Sequence, residues 1–81
     1  MREVLVFDDD YTAMEFVVTV LEQVFQKSRE EASTITMQAH HDGFAISGLY
    51  APAQARDLAS VAEALAMQSG HPLRFGVADA G

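Results

Sequence analysis

The residues Val4-Leu5-Val6-Phe7-Asp8-Asp9-Asp10 constrain this chain most: an apolar run ends in three adjacent carboxylates, and Tyr11-Thr12-Ala13-Met14-Glu15-Phe16 behind them reads as a helix start. The apolar run suits a strand. Neighbouring carboxylates repel by roughly 1 kcal/mol per pair at 4 Å in water, and by more where solvent is partly excluded, so the chain has to turn at its surface here. Asp is favourable in turns and in the first turn of a helix, and Thr12 with Glu15 three residues on matches a capping box. Local structure accounts for one or two of the three Asp in this way. A cation would account for the cluster.

The 81 residues make one domain, 1–81, with no room for a second. A chain of this size buries only about 60–65% of the surface its unfolded form exposes, yet 49% hydrophobic and 21% charged residues mark it as globular. Its net charge of -7, with Lys27 as the only lysine, argues against nucleic acid and for a cationic partner. Without Cys there is neither a disulfide framework nor a thiolate zinc site. No apolar stretch reaches membrane-spanning length and the N-terminus lacks a signal-peptide pattern, so the expected location is the cytoplasm, with no membrane partner.

Residues 3–8 are predicted as a strand, and 12–25 as an amphipathic helix with Met14, Val17, Val18, Leu21, Val24 and Phe25 on one face. Ser28 and Glu31 form a second capping-box pattern, opening a helix to Asp42 that stops at Gly43. Its inward stripe is Ala32, Ile35 and Ala39, with Thr36 and a half-buried His40 at the edge. Residues 44–50 return as a strand, and Pro52 starts a third helix with Ala55, Leu58, Ala59, Ala62, Leu65 and Ala66 as its stripe, ending at Gly70. Leu73 to Val77 make the last strand, and Ala78-Asp79-Ala80-Gly81 a frayed end. The order β-α-α-β-α-β implies an α/β domain of the α+β type: a three-stranded antiparallel sheet with three helices on one face, the other face open or covered by a partner.

His40, four residues from Thr36, shares a helix face with it, whereas His41 points about 100° away toward solvent and His71 precedes Pro72 in a turn. From these residues alone, two site classes are open. Asp8, Asp9, Asp10 and His40 could ligate a divalent metal, although adjacent Asp in an extended segment point alternate ways and no EF-hand or HExxH spacing is present. The strand-then-acidic opening is also that of a phosphotransfer receiver, a signalling module that needs a later Asp and Lys which this chain lacks.

A third reading covers some seventy residues without a gap. Asp8-Asp9-Asp10-Tyr11-Thr12-Ala13-Met14-Glu15-Phe16-Val17-Val18 resembles the NDDYTPMEFVV signature of the ClpS adaptor family. Gln38-Ala39-His40-His41-Asp42-Gly43 with Ser47-Gly48-Leu49-Tyr50 resembles its VHxxG…CGxY segment, and Gly70-His71-Pro72-Leu73 its HPL. The resemblance implies an adaptor without catalytic residues, metal or cofactor. Such an adaptor binds a free N-terminal Phe, Tyr, Trp or Leu of N-degron substrates and delivers them to the ClpA-type AAA+ unfoldase of the ClpAP protease. It further implies that Asp8, Asp10 and His40 hold the α-amino group with Asp9 at the entrance, and that Thr12, Met14, Val17, Thr36, Ala39 and Leu73 form the side-chain pocket.

An α-ammonium is the cation that the triplet asks for, and it donates where two carboxylates and an imidazole accept. Against the family pattern, Asp8 replaces Asn and can only accept, and Thr36 replaces Met and Ala39 replaces Val at the pocket wall, which predicts a wider or wetter pocket suited to aromatics. Ala53 and Leu58 do not match the family's charged unfoldase-facing residues, which shifts docking to other contacts such as Arg56 and Asp57. The family's N-terminal extension has no counterpart ahead of the first strand, as expected either of a trimmed chain or of a divergent paralogue.

Overall fold

The structure, a computed structural model, describes residues 1–80. Its elements are β1 (Arg2–Phe7), α1 (Met14–Gln23), α2 (Arg29–Asp42), β2 (Phe44–Tyr50), α3 (Pro52–Gln68) and β3 (Phe75–Asp79), in the predicted order. β1 lies at the centre of the sheet, which runs β2-β1-β3 with both pairs antiparallel. Its alternation sorts the two faces. Val4 and Val6 are fully buried beneath the helices together with Ala45 of β2 and Phe75 of β3. The open face carries Phe7, Phe44, Ile46 and Leu49, each 39–52% exposed.

The packing over the sheet follows from residue size. Ala55, Ala59, Ala62 and Ala66 give α3 a smooth buried stripe that lets its backbone approach β1 and β3 closely. α1 contributes the bulk instead. Leu21 and Val20 are fully buried, and Phe25, two residues past the end of the helix, stacks on Phe75 at 5.5 Å between ring centroids. Fully burying a side chain such as Leu21 stabilises by about 1.5–3 kcal/mol, so α1 anchors the helical layer despite its short length. Between Val4 and Leu5 the β1–β2 register slips to accommodate one extra residue, Ser47, whose buried hydroxyl has no hydrogen-bond partner among the described residues.

Three local expectations are corrected. α1 starts at Met14 behind Ala13, with no side-chain cap, so the expected Thr12–Glu15 box does not form. The Thr12 hydroxyl donates to the Asp9 carboxylate, a charge-assisted bond that holds the side chain in the turn ahead of the helix, and Glu15 pairs with Arg29. Thr36 is buried at 4% exposure and Ile35 only partly, because the inward line of α2 runs through Ala32, Thr36 and Ala39, and His40 is exposed where a half-buried ring was expected. β3 begins two residues later than predicted, as Leu73 turns inward, and the expected fraying is absent at Ala78 and Asp79, which pair with β1 opposite Glu3 and Arg2. Gly81 lies outside the described residues.

Candidate functional site

The end of β1 and the end of α2 are tied together by main chain. Gly43 caps α2 in the left-handed conformation at φ 92°, and its carbonyl accepts from the Asp8 N–H at 2.9 Å. The carboxylate of Asp8 thereby faces the last turn of α2, where His40 Nδ1 stands 3.6 Å from Asp8 Oδ1. That separation is too long for a hydrogen bond. Both groups therefore keep their lone pairs available, and among the described residues no hydrogen bond reaches the carboxylate of Asp8 or Asp10.

Asp9 behaves differently from its neighbours. Its carbonyl accepts from the Thr12 N–H at 3.2 Å while its carboxylate takes the Thr12 hydroxyl, closing a tight turn that swings α1 back over the sheet. The turn buries Thr12 and sets Met14 and Val17 facing Thr36 and Ala39 of α2. Leu73, buried between α3 and β3, completes the enclosure.

The enclosed space is a cavity of about 130 Å³ lined by Val6, Phe7, Asp8, Asp9, Asp10, Thr12, Met14, Val17, Thr36, Ala39, His40 and Leu73. All ten candidate residues named from the sequence thus border a single cavity. Val6 and Phe7 were not named, although strand alternation alone turns Val6 toward the helices. Exposure divides the lining: Asp8, Asp10 and His40 are open to solvent, whereas Val6, Val17, Thr36, Ala39 and Leu73 are buried. The cavity therefore has a polar, anionic mouth and an apolar interior.

Two further observations define its chemistry. The Thr36 hydroxyl donates to the Ala32 carbonyl at 2.8 Å, so its proton is committed to the α2 main chain and the oxygen keeps only acceptor capacity. Among the described residues no group of three or more His, Cys, Asp or Glu is arranged to hold a metal ion, since the Asp9 carboxylate is directed at Thr12. The arrangement suits a ligand with a cationic donor at one end and an apolar body at the other. Its size fits a ring: an apolar cavity of roughly 150 Å³ in another protein accepts benzene.

Comparison with known proteins gives a consistent picture. The family model described as "ATP-dependent Clp protease adaptor protein ClpS" matches residues 1–76. The ATP-dependent Clp protease adapter protein ClpS of Nitratidesulfovibrio vulgaris is 43% identical over 74 residues, covering 91% of this chain and 71% of the relative. That of Deinococcus radiodurans is 44% identical over 71 residues, covering 88% and 63%. Among solved structures, Agrobacterium tumefaciens ClpS2 bound to L-phenylalaninamide superposes with a TM-score of 0.91 at 34% identity, covering 94% of this chain and 92% of that one. With the family model matched over nearly its whole length, this chain belongs to the ClpS family of ATP-dependent Clp protease adaptor proteins.

Proposed function

We propose that the cavity receives the free amino terminus of a polypeptide whose first residue is Phe, Tyr, Trp or Leu, and that the chain delivers such polypeptides in the cytoplasm to a ClpA-type AAA+ unfoldase of the Clp protease. Asp8, Asp10 and His40 accept from the α-ammonium, Asp9 shapes the entrance through its turn, and Thr12, Met14, Val17, Thr36, Ala39 and Leu73 enclose the first side chain. The observation that carries this reading is the division of one cavity into an exposed acidic mouth with unpaired acceptors and a buried apolar interior. A structural relative bound to L-phenylalaninamide, a molecule with both of those features, supports it.

Selectivity follows from applying two tests at once. Burying an aromatic side chain contributes about 1.5–3 kcal/mol, which alone would not separate a terminal from an internal Phe. The carboxylates supply the second test. An internal peptide nitrogen carries one donor and no charge, so it offers Asp8 and Asp10 no ionic partner in place of the water it displaces at the mouth. No bond is made or broken at the site, as suits an adaptor. The experiment is a titration with a labelled Phe-initiated peptide against its N-acetylated counterpart: the free amine should bind, and equal affinities would exclude the reading.

A further inference from the structure

Leu73 differs from every other residue around the cavity: the rest lie between Val6 and His40, whereas Leu73 sits in the irregular segment joining α3 to β3. Such a segment holds a side chain only as firmly as its neighbours pin it. Ahead of Leu73, the His71 N–H donates to the Ala66 carbonyl at 2.9 Å and the His71 ring lies on Phe16 of α1 with centroids 4.2 Å apart. Behind it, one carboxylate oxygen of Glu63, on α3, accepts from the Phe75 N–H at 2.8 Å and from Arg74 Nε at 3.0 Å. The Arg74 carbonyl in turn accepts from the Phe7 N–H at 3.1 Å.

Resting on the receptor reading above, we infer that Glu63 is a positioning residue for the cavity: by fixing the main chain at Arg74 and Phe75 it holds the Leu73 side chain in place as a wall. Glu63 itself does not border the cavity. The bond to the Phe75 N–H matters more than the bond to Arg74, because the Arg74 side chain is 76% exposed and such pairs contribute little. Burial pushes the Glu63 carboxyl up, but the Phe75 N–H and Arg74 outweigh it and leave the group below the ordinary glutamate value, as expected of a carboxylate ionised in this role. Without that acceptor the Phe75 N–H, at the buried edge of β3, loses its side-chain partner and the segment carrying Leu73 can relax outward.

The test titrates phenylalaninamide into wild type, Glu63→Ala, Glu63→Gln, Arg74→Ala, Leu73→Ala and the Glu63→Ala/Leu73→Ala double variant, each well below its melting temperature. Glu63→Ala should weaken binding about five- to tenfold, within the range of coupling between residues in contact through a shared segment. Glu63→Gln, which still accepts from the Phe75 N–H, and Arg74→Ala should stay within about twofold of wild type, and in the Leu73→Ala background Glu63→Ala should cost less than about twofold. A Glu63→Ala variant that melts earlier but binds as wild type would overturn the inference, as would an equal loss in both backgrounds. Wild type that ignores phenylalaninamide would overturn the receptor reading and this assignment with it, whereas failure of the Glu63 series alone leaves the receptor reading standing.

Discussion

α1 and α2 open with the same sequence pattern, a hydroxyl residue followed three positions later by Glu, and they use it in opposite ways. At α2 the box closes: the Glu31 N–H donates to Ser28 Oγ at 3.1 Å and the Ser28 N–H to Glu31 Oε1 at 3.0 Å. At α1 it stays open, with Thr12 turned to Asp9 and Glu15 to Arg29. The difference lies in what precedes each helix. Ser28 follows Lys27 at an exposed connection, while Thr12 follows three carboxylates, one of which accepts its hydroxyl proton and holds the side chain in the preceding turn. A local rule that fails beside a cavity marks the place where chain geometry serves the site and not the helix.

The sharpest way to break this comparison is to separate binding from stability at its two ends. Asp10→Ala or His40→Ala should weaken binding of a Phe-initiated peptide by about 1.5–3 kcal/mol, the range for a hydrogen bond to a charged group, while the melting curve stays in place. Near wild-type affinity in either variant would remove that residue from the site. Ser28→Ala should do the reverse. It should destabilise by about 1 kcal/mol and lower the melting temperature by roughly 4–8 °C for a domain of this size, with affinity unchanged once the protein is folded. A Ser28→Ala variant that binds more weakly at low temperature would show that the two helix starts are coupled.

The cavity wall offers the next largest effect. Thr36 stands where the family pattern has Met, and its hydroxyl is tied to Ala32, so its contribution to the interior is a short apolar surface. Each missing methylene-sized group is worth about 0.8 kcal/mol of contact when buried, and a ligand that leaves space unfilled forgoes it. Aromatic first residues should therefore outrank Leu in the wild type, and Thr36→Met should reorder the series. A peptide set varying only in its first residue decides the matter. An unchanged ranking in Thr36→Met would mean that Thr36 does not touch the ligand.

Most of the architecture was legible because its periodicities are strong. The alternation of Val4 and Val6, the Ser28 box, the Gly43 stop, Pro52 at the head of α3 and its alanine stripe each follow from short-range rules, and each is observed. What the residues alone did not reveal depends on non-local partners. The destination of the Thr12 hydroxyl depends on where Asp9 points, and the start of β3 depends on Leu73 turning inward. Glu63 gave no signal at all, since nothing in its neighbourhood in sequence announces a bond to Phe75 twelve residues on. For the candidate site, the family resemblance rather than periodicity brought together residues from both ends of the chain. The acidic triplet alone left a metal site and a phosphotransfer receiver open.

The smallest expected effect tests whether the closed box at α2 works as charge and geometry together. Hydrogen bonds that it accepts from Ser28, first from the main-chain N–H and then from the side chain, hold the Glu31 carboxyl below the ordinary glutamate value. A carboxyl lowered in the folded state binds its proton more weakly there than in the unfolded chain. Its contribution is accordingly complete above the unfolded value, about 4.3, and fades as pH falls through the lowered folded value. Glu31→Gln keeps a residue able to complete a capping box but cannot ionise. Urea unfolding of both proteins at a series of pH values should find wild type slightly the more stable near neutrality, with the gap closing under acid. Because every other carboxylate is common to the two proteins, their titrations cancel in the difference. A gap that stays constant from neutrality to about pH 3 would show that Glu31 acts through geometry alone, and that the box differs from the open one at α1 only in shape.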